Sequence, residues 1–357
     1  MTMRRRILFV DDEAAVLDGI GKAQRKQRAR WDMVFAVGGP AALAQLREPP
    51  FDVVVVDMQM PEVDGAALLA SVQERDPSTI RIILTGFADR DAVVRALPIA
   101  HQFFNKPCAA PELAAAIDRA CELRELFTNP LVRAVVGRLV KLPTTPRIYH
   151  ELLSALARPQ VHLEAVAELV EQDPAMVARI MQIASSSFFG FSQPLVSIKG
   201  AVARLGTEMI ASLALASHAF GAVGEPTAPG FSIDALQVHS LAVAQRARAA
   251  AVAAAEAPAT AAAAFTAGLV HDLGKLIIAA AMPAEYAEIQ RRGKLGEPAA
   301  AIERAVLRTS HAEIGAYLLG LWGLPLPIID AVARHDDPGA PASPLLTALR
   351  QAHTQLT

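Results

Sequence analysis

The N-terminal third of the chain contains short apolar runs, and each run ends in a reactive polar side chain. This pattern constrains the fold more than any other feature of the sequence. The side chains that close these runs are Asp11 with Asp12, Asp57, Thr85 and Lys106. Short β-branched runs between helical patterns predict the buried strands of a parallel sheet. The carboxyl ends of such strands meet at one edge, where binding sites form. We therefore expect an α/β, doubly wound parallel sheet with one polar site.

The chemistry of that edge suits a divalent cation and a phosphoryl group. Mg²⁺ takes carboxylate, carbonyl and water oxygens and keeps substrate phosphate among its ligands. Asp57 would then be the nucleophile, and the cation would neutralise charge on the transferred group. Lys106 carries a compact ammonium that suits a phosphoryl oxygen.

The order of these motifs resembles a response-regulator receiver domain over residues 5 to about 125. The matching elements are Asp11-Asp12, Asp57 within VVVVDMQMP, Asp64-Gly65, Thr85-Gly86 and Lys106-Pro107. The resemblance implies a flavodoxin-like fold with a five-stranded parallel sheet. It also implies that Asp57 accepts a phosphoryl group from a phosphohistidine on a partner kinase.

The same resemblance assigns roles to the other residues of the edge. It implies Mg²⁺ ligands at Asp11, Asp12, Asp57 and the backbone carbonyl of Gln59. Thr85 would donate a hydrogen bond to the acyl phosphate and Lys106 would bind a phosphoryl oxygen. Phe103 stands where the family carries an aromatic side chain whose burial follows the phosphorylation state.

Each of these residues also has a purely structural interpretation. Asp11 or Asp12 could cap the helix that starts near Glu13, because Asp is a favoured N-cap. Asp57 could be a turn residue at a strand end, and Phe103 a core aromatic. The coincidence of all the positions favours the receiver.

Composition limits the remaining classes of protein. The chain has 357 residues, 53% hydrophobic and 20% charged, which predicts a globular protein of two or three domains. A net charge of −2 gives no electrostatic footprint for nucleic acid or an anionic membrane. We expect no signal peptide, no membrane span and no disulfide framework, and therefore a cytoplasmic protein.

From Pro130 onward the pattern is helical, so we divide the chain into a receiver at 1–128 and an all-α domain at 129–357. Asp173-Pro174 is typical of a helix start. The alanine-rich stretch 247–264 predicts two helices broken near Pro258. The helix that closes the receiver could transmit a change to the second domain or be a passive linker.

The helical half carries four motifs that contain histidine. They are His239-Ser240, His271-Asp272 within LVHDLGK, His311 within SHAEIGAYLLGLWGLP, and His335-Asp336 within ARHDDP. The His-Asp and Gly-Lys combination resembles the HD metal-dependent phosphohydrolases, and the whole half resembles their relative, the HDOD output domain. The resemblance implies an HD-like all-α fold.

By the same resemblance, His239, His271, Asp272, His311 and His335 are candidate metal ligands and Lys275 could pair with a phosphate. Mixed His and carboxylate donors suit Fe, Mn or Zn better than Mg. Ser310 and Glu313 have capping-box spacing, so His311 should open a helix, and a helix N-terminus favours neutral imidazole.

The chain also departs from the hydrolases. The hydrolases that cut cyclic dinucleotides have a His-His pair followed by Gly-Tyr-Pro, whereas this chain has His335-Asp336 and no Gly-Tyr-Pro. HD enzymes usually have a late Ala-Asp pair, and this chain has Ala352-His353 in its place. Output domains of this family are generally regarded as non-catalytic. The histidines could therefore be core, cap or loop residues, and His271-Asp272 a buried hydrogen-bonded pair.

We expect a two-component response regulator in which phosphorylation of Asp57 controls a non-catalytic, protein-binding output domain. Its partners would be a sensor histidine kinase or phosphotransfer protein and a downstream protein, with a homodimer permitted. The rival interpretation is a phosphorylation-regulated HD-type phosphodiesterase or phosphohydrolase. DNA binding is disfavoured because the helical half has no basic stripe.

Overall fold

The computed structural model describes residues 4–47, 49–86, 95–139, 142, 146–156, 158, 161–186, 195–220, 228–297 and 299–356. It divides into two compact units, the first built mainly on Met1–Val140 and the second mainly on the remainder. Each unit is described by itself below.

The first unit is built around a five-stranded parallel sheet. Its strands are β1 (Arg5–Asp11), β2 (Trp31–Val37), β3 (Val53–Asp57), β4 (Ile80–Gly86) and β5 (Gln102–Lys106). The order is β2-β1-β3-β4-β5, so the predicted doubly wound sheet is confirmed. All residues of β3 are buried, as expected for a central strand covered on both faces.

The register of the sheet places its polar strand ends side by side. Asp57 pairs with Leu84, one residue before Thr85, and Gly86 pairs with Lys106. Asp11, at the end of β1, pairs with Val37. Asp11, Asp57, Thr85 and Lys106 therefore lie at one edge of the sheet because parallel strands share the direction of their carboxyl ends.

The described helices of the first unit follow the strands. They are Ala14–Ala23, Gly39–Gln45, Gly65–Arg75, Ala110–Leu126 and Pro130–Arg138, with a 3-10 turn at Arg25–Ala29. Asp64 caps the third of them by accepting a hydrogen bond from the backbone N–H of Ala67. The side chain of Asn129 accepts from the N–H of Leu131 and caps the last.

The helix Pro130–Arg138 packs within the first unit. Gln73 and the buried Arg81 both donate to the carbonyl of Gly137, at 2.8 and 2.9 Å. A β-carbon at Gly137 would lie 1.8 Å from the carbonyl oxygen of Pro77, so only glycine permits this close approach. Our division at residues 128 and 129 stays a prediction, but this helix, which we placed with the second domain, lies in the first unit.

The second unit is all-helical over its described residues. Its helices are Pro146–Leu156, Leu163–Val170, Pro174–Ala184, Ile198–Phe220, Ile233–Ala253, Pro258–Val270, Leu273–Ala281, Pro283–Gly293, Ala299–Leu307, His311–Leu321, Leu326–Arg334 and Pro344–Thr354. Asp173 caps the third through the N–H groups of Ala175 and Met176, which confirms that prediction. The alanine-rich stretch forms two helices separated before Pro258, also as predicted.

One helical stretch among the described residues, Pro258–Ala281, is long and apolar enough to cross a membrane, but 83% of its apolar window is buried inside the fold. The stretch is also interrupted at His271 and Asp272, where one helix ends and the next begins. We therefore interpret this stretch as part of the buried core of the second unit.

Candidate functional site

The polar edge of the receiver-like sheet is organised around Lys106. Its Nζ lies 2.7 Å from Oδ2 of Asp11 and 2.8 Å from Oδ1 of Asp57. Asp11 and Asp57 are buried, whereas a quarter of the Lys106 side chain is exposed. The ammonium therefore holds two carboxylates together that would otherwise repel each other.

Three carboxylates of this edge form a set that could hold a divalent cation. Ligand atoms of Asp11, Asp12 and Asp57 all lie within 4.8 Å of one another, and Asp12 is exposed. An all-carboxylate set with an exposed member fits Mg²⁺, which keeps several water ligands. Asp11 also accepts a hydrogen bond from the N–H of Glu13 through Oδ1, just before the helix Ala14–Ala23, and its role as a cation ligand stays a prediction.

Thr85 and Phe103 are both buried. The Oγ1 of Thr85 has no hydrogen-bond partner among the described residues, although its side chain is 1% exposed. Buried hydroxyls normally have partners, so this one is available for a phosphoryl oxygen. Phe103 is fully buried on β5 opposite Ile83. Gln59 is exposed two residues beyond Asp57, and the role of its carbonyl stays a prediction.

The charges of this edge perturb one another. Burial raises the pKa of Asp57, and the charges of Asp11 and Asp12 add to the rise, against the opposing effect of Lys106. Burial alone would lower the pKa of Lys106, but hydrogen bonds and charges from Asp11 and Asp57 outweigh it and raise that pKa. The ammonium is therefore held charged beside the acceptor carboxylate.

A second polar cluster lies in the helical unit, centred on the buried Asp272. One oxygen, Oδ2, is 3.3 Å from Nε2 of His271 and 3.6 Å from Nε2 of His239. The other, Oδ1, is 3.1 Å from Nε2 of His311 and 3.8 Å from Nε2 of His335. The structure thus brings together all five residues that the sequence singled out as candidate ligands.

The three buried imidazoles of this cluster are each held in place by a contact at Nδ1. Nδ1 of His271 lies 2.8 Å from the carbonyl oxygen of Gly268, and Nδ1 of His335 lies 2.8 Å from that of Val332. Nδ1 of His311 lies 2.9 Å from Glu303. Such contacts direct the other nitrogen, Nε2, towards Asp272, as they do for metal-binding histidines. Nε2 of His271 is buried and has no hydrogen-bond partner among the described residues.

Lys275 and His239 lie on the more exposed side of the cluster. Nζ of Lys275 is 2.8 Å from Oδ2 of Asp272, and about a third of its side chain is exposed. Burial would lower the pKa of Lys275, but the charge of Asp272 outweighs it and raises the pKa. Lys275 is therefore a charged group at the accessible face, which suits the predicted contact with a phosphate.

The protonation of His311 depends on burial and on two carboxylates. Burial lowers its pKa, but hydrogen bonds to Asp272 and Glu303 outweigh burial and raise the pKa to about 9. Ser310 caps the helix through the N–H of Glu313, as predicted, and the neutral imidazole of a metal-binding His311 stays a prediction. Burial and the neighbouring His271 and His311 lower the pKa of His335 to about 3.

The cluster also contains three residues that the sequence analysis did not single out as ligands. Asp336 Oδ1 is 3.5 Å from Nε2 of His335 and 3.3 Å from Nε2 of His353. The ring of His353 stacks edge-on at 5.0 Å from that of His271. Glu303 supports His311 from another helix. Asp336 and His353 could have been found from the positions where the hydrolases carry His and Asp, but no motif signals Glu303.

Comparison with known protein families identifies a domain in each half of the chain. A model of the response regulator receiver domain matches residues 7–118, and a model of the HDOD domain matches residues 142–338, more than half of the chain. The chain belongs to the HDOD family. It joins an HDOD domain to a response-regulator receiver, as the sequence predicted.

Individual relatives are similar to part of this chain. A crystal structure of a fragment of the MmoQ response regulator from Methylococcus capsulatus is 30% identical, covering 60% of this chain and 83% of that one, with a TM-score of 0.51. An uncharacterized protein of Treponema pallidum is 28% identical over 63% of this chain and 44% of its own length. The transcriptional regulatory protein ZraR of Salmonella typhimurium is 29% identical over 42% of this chain and 34% of its own length. This chain thus spans under half of either curated relative.

Proposed function

We propose that this receiver–HDOD chain is a two-component response regulator that accepts a phosphoryl group on Asp57 with Mg²⁺ and controls its HDOD domain. The observation that carries this proposal is the placement of Lys106 Nζ between Asp11 and Asp57, at 2.7 and 2.8 Å. The donor would be a phosphohistidine on a sensor kinase or phosphotransfer protein. Receivers are typically soluble, and we place this one in the cytoplasm.

The residues of the edge have separable parts in the transfer. A carboxylate oxygen of Asp57 forms the bond to phosphorus while the bond from phosphorus to the donor breaks, and the donor imidazole leaves. Bound Mg²⁺, on Asp11, Asp12, Asp57 and the carbonyl of Gln59, would supply charge neutralisation at the phosphoryl oxygens. Lys106 then binds a phosphoryl oxygen, and the Oγ1 of Thr85 donates to one.

Control of the output domain follows as a population shift. A ligand shifts a two-state equilibrium only by its differential interaction with the two states. The hydroxyl of Thr85 has no hydrogen-bond partner among the described residues, and its contact with the phosphoryl group would exist in the phosphorylated state alone. Phe103, buried on the neighbouring strand, is the second element that would respond. The HDOD domain would then present or hide a surface for a downstream protein, without catalysis.

Phosphorylation is tested by intact mass spectrometry after incubation with acetyl phosphate and Mg²⁺. We expect the wild-type chain to gain the mass of one phosphoryl group, and Asp57→Asn to gain none. Asp18→Asn is the matched control, because Asp18 is an exposed residue of the helix Ala14–Ala23 and is not among the three carboxylates of the candidate metal set. Equal gains in wild type and Asp57→Asn would contradict the assignment.

Output is tested by comparing captured proteins between acetyl-phosphate-treated wild type and Asp57→Asn. A set that changes with phosphorylation in the wild type alone supports phosphate-controlled binding. A set unchanged by acetyl phosphate in the wild type would contradict it.

A second candidate function, hydrolysis of a phosphate ester by the HDOD domain, is favoured by the cluster around Asp272. Its imidazole and carboxylate donors fit Fe, Mn or Zn. The buried Nε2 of His271, which lies 3.3 Å from Oδ2 of Asp272 and makes no geometric hydrogen bond among the described residues, fits a cation ligand. Such a cation would supply a hydroxide nucleophile at neutral pH. Lys275, at the accessible face, would bind the phosphate.

Hydrolysis is tested with Mn²⁺-loaded protein against cyclic dinucleotides and a generic phosphodiester, in wild type and His271→Ala. Turnover that disappears in His271→Ala would favour the enzyme over the non-catalytic output. Absence of turnover in metal-loaded wild type would remove this second candidate.

A further inference from the structure

An apolar pocket opens on the surface of the first unit beside its first helix, Ala14–Ala23. The residues of this helix that line the pocket repeat at helical spacing and are Val16, Gly19, Ile20 and Ala23. Leu84, Pro107 and Leu113 extend the apolar wall from other elements of the unit. We call this feature the receiver pocket.

The receiver pocket has room for a small molecule. Its volume is about 490 Å³, within the range of about 300–1,000 Å³ that small-molecule sites occupy. Small side chains leave this space unfilled, since a β-carbon at Gly19 would meet nothing within 4 Å. The amide of Gln24, which also lines the pocket, donates a hydrogen bond to the carbonyl of Ala110 at 2.7 Å. The wall therefore favours an apolar occupant, because binding removes apolar surface from water.

Four exposed cations stand next to one part of this wall, and they are Lys22, Arg25, Lys26 and Arg28. Lys22 directly precedes the lining residue Ala23, and Arg25 directly follows the lining residue Gln24. None of the four cations forms an ion pair with another residue in the part of the chain that the structure describes. They are therefore available to an anionic group of a bound molecule.

Two further charged residues act on the wall of the receiver pocket. Lys106 lines it, but its ammonium already pairs with Asp11 and Asp57. Burial raises the pKa of the lining residue Cys108, and the charge of Glu112 adds to the rise. The four exposed cations outnumber this one carboxylate, so the surroundings of the pocket attract an anion.

We propose that the receiver pocket binds a single-chain anionic amphiphile of the fatty-acid class, with its alkyl chain against the apolar wall and its carboxylate at Lys22 and Arg25. Apolar space beside exposed cations is complementary to a molecule that joins an alkyl chain to an anionic head group. A protein partner would instead cover a broad surface of about 800 Å². This site goes beyond the proposed function, and binding does not require phosphorylation of Asp57.

Binding is tested by calorimetric titration of the full-length protein with decanoate, below its micelle-forming concentration, and with 1-decanol. The two ligands have the same chain length and differ in the charge of the head group. We expect one saturable decanoate site and about threefold weaker binding of 1-decanol, because exposed ion pairs contribute modestly. Phosphatidylglycerol vesicles are titrated in parallel. Absence of decanoate binding, or binding of vesicles in its place, would overturn the proposal.

The head-group contact is tested with the double variant Lys22→Gln, Arg25→Gln. It should lose about threefold in decanoate affinity and bind 1-decanol as wild type does. Arg47→Gln, Arg75→Gln is the matched control, because it removes the same charge from two exposed residues that do not line the pocket. Equal losses of decanoate affinity in the two double variants would contradict a specific contact.

The alkyl-chain contact is tested with Gly19→Leu, which places a side chain in the open space of the pocket. The affinities for decanoate and 1-decanol should both fall at least about tenfold, because the alkyl chain and the new side chain compete for one volume. Circular dichroism checks that the variant is folded. Undiminished decanoate affinity in folded Gly19→Leu would overturn the assignment of the pocket.

A measurement on wild type alone locates the ligand without any variant. Cys108 is half-buried in the wall of the pocket, so saturating decanoate should slow its alkylation by iodoacetamide severalfold. Peptide mass spectrometry separates this cysteine from Cys121. An unchanged rate at Cys108 would place the ligand elsewhere and contradict the proposal.

Discussion

Nζ of Lys106 lies 2.8 Å from Oδ1 of Asp57, and the same ammonium lies 2.7 Å from Asp11. The ammonium of Lys106 neutralises charge on two buried carboxylates, Asp11 and Asp57. A bound Mg²⁺ would serve the same electrostatic purpose, so the two cations should partly substitute for each other in stability.

Replacement of Lys106 tests that substitution. We expect Lys106→Met to lower the free energy of unfolding by about 1–3 kcal/mol in chelator, because it leaves the buried carboxylates without their partner. Mg²⁺ should recover more stability in the variant than in wild type. Urea unfolding, followed by Trp31 fluorescence in a Trp322→Phe background, measures both effects. An identical Mg²⁺ response in the two proteins would contradict the account.

Gly274 permits the close approach that positions His311. A β-carbon there would lie 1.9 Å from the carbonyl oxygen of His311, whereas at Gly293 it would meet one methyl carbon at 4.0 Å. We expect Gly274→Ala to destabilise the second unit by about 1–3 kcal/mol and to weaken metal binding, since backbone must move. Thermal unfolding with and without Mn²⁺ measures this. Equal behaviour of Gly274→Ala and Gly293→Ala would show that the approach is unimportant.

Gly137 likewise permits a close backbone approach, which lets the helix Pro130–Arg138 pack within the first unit. Its substitution by Ala would push the helix from Pro77 and break the hydrogen bonds from Gln73 and Arg81. We expect a loss of about 1–3 kcal/mol. Gly19→Ala, in a helix with nothing near its β-carbon, should instead stabilise by about 0.5–1 kcal/mol. Hydrogen exchange of residues 130–138 reports the docking; unchanged protection in Gly137→Ala would refute it.

The cysteines should be slow to alkylate. Burial raises the pKa of Cys108 to about 11, with the charge of Glu112 adding to the rise, and burial raises that of Cys121 to about 12. A higher pKa leaves less thiolate at pH 8, and the greater nucleophilicity of that thiolate offsets only part of the loss, so Cys108 should react roughly tenfold more slowly than an ordinary thiol. Iodoacetamide labelling followed by intact mass measures the rate, with Cys108→Ser to separate the two sites. Labelling of the half-buried Cys108 as fast as free glutathione would contradict its raised pKa.

The receiver edge was predictable because each of its side chains directly follows an apolar run, and parallel strands bring such ends together. The five candidate ligands of the helical unit were predictable from short local motifs in the same way. Glu303 was not, because its contact with His311 depends on how two helices pack rather than on any spacing along the chain. The docking of Pro130–Arg138 could not be predicted either, since Arg81 lies within an apolar strand and its partners include the distant carbonyl of Gly137.

The direct test of the central claim is to trap the acyl phosphate with borohydride and map it by peptide mass spectrometry. After acetyl phosphate and Mg²⁺, we predict reduction at Asp57 in wild type, with none at Asp11 or Asp12. Trapping at another residue, or at no residue under conditions that leave the protein folded, would contradict the account.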